Sequence, residues 1–305
     1  MKMPTNHEIV ISDQKGRLDK VLAQELTDLS RSRIQELITE GNVLVNEKSE
    51  KSSYKVNAGD KIIVHEPKLK PLSLEAENIP LDIVYEDQDV IVVNKPQGMV
   101  VHPSAGHPDH TLVNALLFHT KELAQSPEGF RPGIVHRIDK DTSGLLMIAK
   151  NPKARASLED QLAHKTNKRV YLAIVHGNFT ESNGTITAPI ARNPQDRKKM
   201  AVVEGGKYAV THFKVLEQFP GYSLISCRLE TGRTHQIRVH MKYIGHPLAG
   251  DPLYGPKKTL KGNGQFLHAE ILGFKQPTTG KLLEFSRPVP KIFEDTLTKL
   301  RRLKK

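Results

Sequence analysis

Apolar positions near the N-terminus recur at three- and four-residue intervals, the spacing of an amphipathic helix. One series precedes Ser30, a residue type that often caps helices, and a second series follows it. The members of the two series are Leu18, Val21, Leu22, Leu26, Ile34, Leu37 and Ile38. Gly41 and Asn42 end the second helix, and short strands are predicted at 43–46 and, after a Gly-Asp turn, at 61–65.

Apolar strand patterns outnumber helical patterns in the rest of the chain. Residues 66–78, with two prolines and scattered charges, are predicted to be a linker. Strands are predicted at 90–93, 144–149, 170–175, 222–229 and 237–239, and helices at 112–119, at 154–164 and near the C-terminus. The order of elements favours an α+β fold with a mixed, largely antiparallel sheet and flanking helices. We predict a small domain with its linker at 14–75 and a larger domain at 76–305.

Composition and charge narrow the classes of protein. The 305 residues carry 45 Lys and Arg against 34 Asp and Glu, a net charge of +11. Such an excess of positive charge is typical of proteins that bind nucleic acid or an anionic membrane surface, or it serves solubility alone. A single cysteine, Cys227, excludes a disulfide framework and a thiolate zinc cluster, and its apolar strand predicts a core position. The sequence has neither a signal-peptide pattern nor an apolar run near 18 residues, so we expect a cytoplasmic protein without a membrane span.

The densest cluster of chemically active side chains is HRIDKDTSG, residues 136–144, directly before a predicted apolar strand. Such a loop can hold a carboxylate at the edge of a rigid sheet. Asp139 lies between Arg137 and Lys140, and nearby cations favour its charged form. The alternative is an ordinary turn in which the polar residues after Asp139 cap backbone groups.

A second cluster is LETGRTHQIRVHM, residues 229–241. Gly232 permits a sharp turn between the preceding strand and Arg233 and His235. Arg238, within the predicted strand at 237–239, is a candidate for a partly buried cation, and a buried cation requires a carboxylate partner. The alternative is an edge-strand arginine that faces solvent.

Other kinds of site receive little support. His102, His107 and His110 are spaced loosely like metal ligands, but no HExxH motif or cysteine pair accompanies them, so no metal site is predicted. Ser143 lacks the GxSxG context of a hydrolase nucleophile. The glycine spacing at 250–255 lacks the Lys and Ser or Thr of a phosphate-binding loop.

The strings GRLDKVLAQEL, SRSRIQELITEGNVLVNEK and VNAGDKIIV, taken in order, resemble the S-four type RNA-binding domain. The resemblance implies that cations at the starts of its short helices bind RNA phosphates together with free backbone N–H groups. These cations are Arg17, Lys20, Arg31 and Arg33. The alternative is a structural helix pair with solvated charges.

Five separated motifs resemble the RluA-like family of RNA pseudouridine synthases and follow the order of that family over nearly the whole chain. They are the two clusters above, VYEDQDVIVVNKPQGMVVHPS, KRVYLAIVHG and GHPLAGDPLYG. Together with the N-terminal domain they are most similar to the large-subunit ribosomal RNA synthases of the D type. Ile138, where the family usually has Leu, is a minor departure.

The resemblance assigns roles to individual residues. Asp139 matches the catalytic aspartate, Tyr171 the tyrosine that packs against uracil and is a proposed proton acceptor at C5, and Arg238 the arginine that pairs with the catalytic carboxylate. Arg137 matches the arginine that enters the RNA stack where the target base is extruded. The further RNA-binding positions that the resemblance implies are Arg233, His235 and Gln236.

The implied function is the isomerisation of specific uridines, in large-subunit ribosomal RNA, to pseudouridine by base flipping. The carboxylate acts either as a nucleophile at C1′ or as a base at C2′, and no cofactor is required. We expect a monomer whose partner is RNA, either ribosomal RNA or a pre-ribosomal particle, with no membrane partner. The alternative is a catalytically silent RNA-binding or ribosome-assembly factor. Only the enzyme requires Asp139, Tyr171 and Arg238 to converge.

Overall fold

The fold is that of a computed structural model. It describes residues 5–27, 29, 31–66, 74–104, 106–126 and 131–303, except for the side chains of Thr5, Ser32, Arg33 and Glu66. The chain divides into two compact units, Met1–Pro71 and Leu72–Lys305. Ser30, most of the predicted linker and the Arg33 side chain lie outside the described residues.

The first unit packs two helices against a small antiparallel sheet with strand order β1-β6-β3-β4. The predicted helices and strands are confirmed, because the apolar series of both helices and of β3 and β6 share one core. The elements are β1 (Thr5–Val10), β2 (Gly16–Arg17), α1 (Leu18–Glu25), α2 (Arg31–Thr39), β3 (Val43–Val45), β4 (Lys48–Ser49), β5 (Lys55–Val56) and β6 (Lys61–Glu66).

The second unit is built on a larger sheet flanked by helices. Its first elements are β7 (Asp82–Glu86), β8 (Val90–Lys95), α3 (Leu112–His119), β9 (Ser143–Ala149), α4 (Pro152–Ala163), β10 (Lys168–His176), β11 (Asn183–Thr187), β12 (Ile190–Arg192) and β13 (Met200–Val202). They are followed by β14 (Val210–Phe219), β15 (Tyr222–Leu229), α5 (Gln236–Tyr243), β16 (Leu267–Lys275), β17 (Leu282–Ser286) and α6 (Lys291–Leu303).

Strands of the large sheet follow the order β11-β14-β15-β10-β16-β9-β8-β7, and β17 pairs with β16. Within the described ranges β9 and β16 are the parallel neighbours and the other pairs are antiparallel, which confirms the predicted mixed α+β fold. Strand β9 is buried at every position, as expected for a central strand that is covered on both faces. It gives the loop that precedes it a rigid support.

Gly144 brings β9 close to β16 just after that loop. A Cβ at this position would lie 2.3 Å from the carbonyl oxygen of Ala269, and the backbone φ of +112° disfavours other residues. The glycine therefore permits the parallel pairing that fixes the loop.

One predicted element is wrong. Residues 237–239 belong to helix α5 and not to a strand. Polar and apolar residues alternate along this helix, and its polar Gln236, Arg238 and His240 are buried together with the apolar residues, so the sequence pattern resembles a strand. Arg238 consequently lies on a helix.

Candidate active site

The loop before β9 is held by several backbone contacts. The Thr142 N–H donates to the Asp139 carbonyl at 3.1 Å, and the Gly98 N–H donates to the Lys140 carbonyl at 3.0 Å. Buried Lys95 donates through Nζ to the same Lys140 carbonyl at 3.0 Å. Asp139 is therefore presented from a fixed backbone, with 17% of its side chain exposed.

An arginine bridges two carboxylates at the centre of the site. Arg238 Nη1 donates to Asp139 Oδ2 at 2.8 Å, while its Nε and Nη2 donate to both oxygens of Asp251 at 2.7 and 2.9 Å. Asp139 and Arg238 are therefore in direct contact, as the family resemblance implies. A buried arginine requires a carboxylate partner, and Arg238 has two.

Asp251 is the residue of the candidate site that the sequence reasoning missed. Its side chain is fully buried and also accepts the N–H groups of Leu253 and Tyr254 at 2.9 and 3.0 Å. Burial favours its neutral form, but the hydrogen bonds and charge of Arg238 outweigh burial and lower the pKa of Asp251. A signal existed, because Asp251 lies in GHPLAGDPLYG, one of the five motifs that carry the family resemblance.

The pKa of Arg238 is raised. Burial opposes its charge, but the hydrogen bonds and charges of Asp251 and Asp139 prevail. The Tyr254 ring lies 5.0 Å from the guanidinium carbon and adds a cation–π contact. Arg238 is therefore a permanent cation beside Asp139.

A cavity of about 430 Å³ brings the predicted site residues of the second unit together. It is lined by Asp139, Tyr171, Arg238, Arg137, Arg233, His235 and Gln236 among others. Tyr171 is 6% exposed, and burial raises the pKa of its phenol, with the Arg169 cation opposing and Asp139 reinforcing the shift. Asp139, Tyr171 and Arg238 therefore converge, which the enzyme requires and a silent binding factor does not.

His235 approaches Asp139 from the start of α5. It adopts a left-handed backbone conformation with φ of 57°, and its Nε2 lies 3.8 Å from Asp139 Oδ1. Its Nδ1 is 2.8 Å from the Tyr254 hydroxyl, which accepts the Met200 N–H at 2.8 Å. Burial lowers the pKa of His235, so it is a neutral neighbour of the carboxylate.

The other predicted RNA-binding residues of this unit differ in exposure. Arg137 is exposed, and its Nη1 lies 3.2 Å from Nε2 of buried His102. Arg233 is exposed and donates through Nε to the Tyr208 carbonyl at 2.9 Å. The buried Gln236 carboxamide bonds to four protein groups and shapes the turn that carries Arg233.

In the first unit, two predicted phosphate-binding arginines meet on one carboxylate. Arg17 and Arg31 donate to the fully buried carboxylate of Asp19 at 3.0 and 2.9 Å, while about half of each arginine side chain stays exposed. Their hydrogen bonds and that of Gln35 outweigh burial and lower the pKa of Asp19. Lys20 is exposed.

Residues considered for other chemistry are placed elsewhere. The Ser143 hydroxyl is 2.9 Å from His268 Nδ1, and His136 Nε2 accepts the Met147 N–H, so no hydrolase triad forms. Cys227 is buried, and burial raises its pKa to about 12, which confirms a core position. In the described part of the chain, no group of three metal-ligating side chains converges, and no helix has the length and apolarity that crossing a bilayer requires.

Comparisons with known proteins identify the family of the chain. Residues 89–243 match the RNA pseudouridylate synthase family, and residues 16–62 match the S4 domain. An uncharacterized RNA pseudouridine synthase of Bacillus subtilis is 54% identical over 95% of this chain and 96% of that protein. Ribosomal large subunit pseudouridine synthase D of Neisseria meningitidis serogroup A is 49% identical over 94% of this chain and 79% of that protein.

A solved structure extends the likeness to the fold. Human RNA pseudouridylate synthase domain containing 1 is 28% identical, with a TM-score of 0.57, and the match covers 76% of this chain and 98% of that chain. The sequence and fold comparisons point to the same group of proteins as the motifs. The chain belongs to the RNA pseudouridylate synthase family, whose members are isomerases that act on RNA uridine.

Proposed function

We propose that the protein converts specific uridines of large-subunit ribosomal RNA to pseudouridine in the cytoplasm, as a monomer and without a cofactor. The observation that carries this proposal is the convergence of Asp139, Tyr171 and Arg238 in one cavity. The relative from Neisseria, which is named for the large ribosomal subunit, supports the choice of RNA.

The reaction breaks the bond from C1′ to N1, turns the uracil, joins C1′ to C5 and moves a proton from C5 to N1. It involves no net oxidation and no hydrolysis, so the groups that it needs are a carboxylate, a pocket for the base and a means of extruding it. In a stacked helix the uracil atoms are inaccessible, so the target nucleotide must flip into the cavity at a cost of a few kcal/mol.

Each proposed residue has a physical task. Asp139 attacks C1′ or removes the C2′ proton, and Arg238, fixed by Asp251, holds the carboxylate in place. Tyr171 packs against the uracil, and exposed Arg137 fills the gap that the extruded base leaves in the RNA. Arg233 and His235 contact the RNA at the cavity, and Gln236 fixes their turn.

The two units divide the work of binding. We assign residues 14–75 to an RNA-binding domain with its linker and 76–305 to the catalytic domain. Residues 1–75 contain 12 Lys and Arg and 12 Asp and Glu, so the whole net charge of +11 lies on the remainder of the chain. The first domain therefore binds RNA through local cations, which we take to be Arg17, Lys20, Arg31 and Arg33, and the second supplies the general electrostatic attraction.

The test is tritium release from unmodified large-subunit RNA labelled at C5 of uridine. The wild type should release tritium, whereas Asp139→Asn should not, because the amide is neither a nucleophile nor a base. Asp139→Asn should still bind RNA. Asp141→Asn, two residues away in the same loop, is the matched control and should remain active. Normal turnover by Asp139→Asn would remove the basis of the catalytic assignment.

A further inference from the structure

Arg169 is a buried cation with no anionic partner among the residues that the structure describes. It is 6% exposed and lines the cavity. Among the described residues, no carboxylate forms an ion pair with it, and its Nε has no hydrogen-bond partner. An unpaired buried charge costs several kcal/mol, so its position requires an explanation.

The groups around Arg169 do not supply a negative charge. It lies two residues before Tyr171 on β10, so both side chains extend from the same face of the strand. Burial lowers the pKa of nearby His136 to about 3 and raises the pKa of Tyr171, so both neighbours are neutral at pH 7. Burial also lowers the pKa of Arg169 itself.

The chain leaves room for this guanidinium at the turn before α5. A Cβ at Gly232 would lie 2.7 Å from Nη1 of Arg169, so any larger residue would displace the arginine. The cavity wall is therefore shaped around a cation that forms no ion pair with any of the described residues.

Two other arginines of the cavity are paired with carboxylates. Arg238 is neutralised by Asp139 and Asp251. Arg155 donates through Nε to Glu159 at 2.9 Å, and although its Nη1 lacks a hydrogen bond, its charge is balanced. Arg169 has no such balance among the described residues.

We propose that Arg169 is a catalytic residue that stabilises the negative charge developing on the uracil when its bond to C1′ breaks. This inference rests on the proposed isomerisation. The C1′–N1 bond breaks with its electron pair remaining on the ring. Asp139 gains a bond to C1′ or takes the C2′ proton, so in either route one negative charge passes from the carboxylate to the uracil.

The charge is temporary and needs no added reagent. It leaves the ring when C5 bonds to C1′ and Asp139 regains its carboxylate, and the C5 proton ends on N1. Arg238 keeps Asp251 as a partner throughout, whereas Arg169 acquires a partner only while the ring is anionic. An interaction that exists only near the transition state accelerates the reaction without strengthening substrate binding.

The experiment compares Arg169→Met and Arg169→Lys with the wild type in single-turnover tritium release and in RNA binding. We expect Arg169→Met to lower the rate of the bound complex by roughly 100- to 1,000-fold, the loss typical of removing one preorganised donor. Arg169→Lys, which keeps the charge, should lose clearly less. The Kd for RNA should be unchanged in both variants.

Two controls separate catalysis from structure. Arg301→Met removes an arginine that is paired with Glu217 and does not line the cavity, and should leave the rate unchanged. The thermal midpoint of Arg169→Met should be equal to or higher than that of the wild type, because an unpaired buried charge is removed. A fall in the midpoint would identify Arg169 as a structural residue and overturn the proposal.

The remaining outcomes are also decisive. A full rate in Arg169→Met overturns the inference alone, because wild-type release shows that the isomerisation itself occurs. Weaker RNA binding with an unchanged rate would identify a phosphate contact and likewise overturn it. Failure of the wild type to release tritium would refute the proposed function and the inference with it.

Discussion

Replacement of Asp251 by asparagine tests whether the second carboxylate fixes the orientation of Arg238. The amide keeps the size of the side chain and an oxygen for the Leu253 and Tyr254 N–H groups. It removes the charge that faces Nε and Nη2 of Arg238 at 2.7 and 2.9 Å. The side chain of Arg238 is only 5% exposed, and in the variant Asp139 would be its one remaining charged partner among these two carboxylates.

The expected loss of stability is large for a single substitution. Breaking a buried ion pair by removing one partner costs about 3–5 kcal/mol. A domain of this size loses about 2–4 °C of thermal midpoint per kcal/mol, so the midpoint should fall by about 6–20 °C. Activity should fall as well at temperatures where the variant is folded, because Arg238 is no longer oriented towards Asp139.

The measurement is urea unfolding as a function of pH, together with tritium release. The pKa of Asp251 is lower in the folded protein than in the unfolded chain, so its contribution is complete above about pH 4 and declines as the pH falls further. The difference in the free energy of unfolding between wild type and Asp251→Asn should therefore be largest at pH 7 and should shrink as the pH falls below about 4. A variant with wild-type stability and activity at pH 7 would refute the reasoning.

Two further predictions concern buried groups outside the ion-pair cluster. The pKa of His136 is about 3 in the folded protein and about 6.5 in the unfolded chain, so stability should decline as the pH falls from 6.5 towards 3. His136→Gln should lose that part of the acid sensitivity in urea titrations, and an unchanged pH profile would contradict it. Because burial raises the pKa of Cys227 to about 12, iodoacetamide should label it in urea and not in the native protein, as mass spectrometry can show.

Local patterns in the sequence predicted much of the fold. An element was predictable where a complete apolar pattern lies within a few residues. This holds for the two helices of the first unit and for the strands at 90–93, 144–149, 170–175 and 222–229. The segment 237–239 was not, because polar and apolar residues alternate along α5 as they do in a strand, and its polar side chains are largely buried. The same burial hid the contacts of Arg238.

The sequence by itself determined which side chains are the candidates for catalysis: the motifs name Asp139, Tyr171 and Arg238, and burial rules demand a carboxylate for the arginine. Only the tertiary structure decided how these charges are balanced. Arg238 and Asp139 are 99 positions apart, and the choice of Asp251 as the second anion depends on how α5 packs against the segment that follows it. The isolation of Arg169 is likewise a tertiary property, because whether a charge is paired depends on what surrounds it in space, which the order of residues along the chain does not specify.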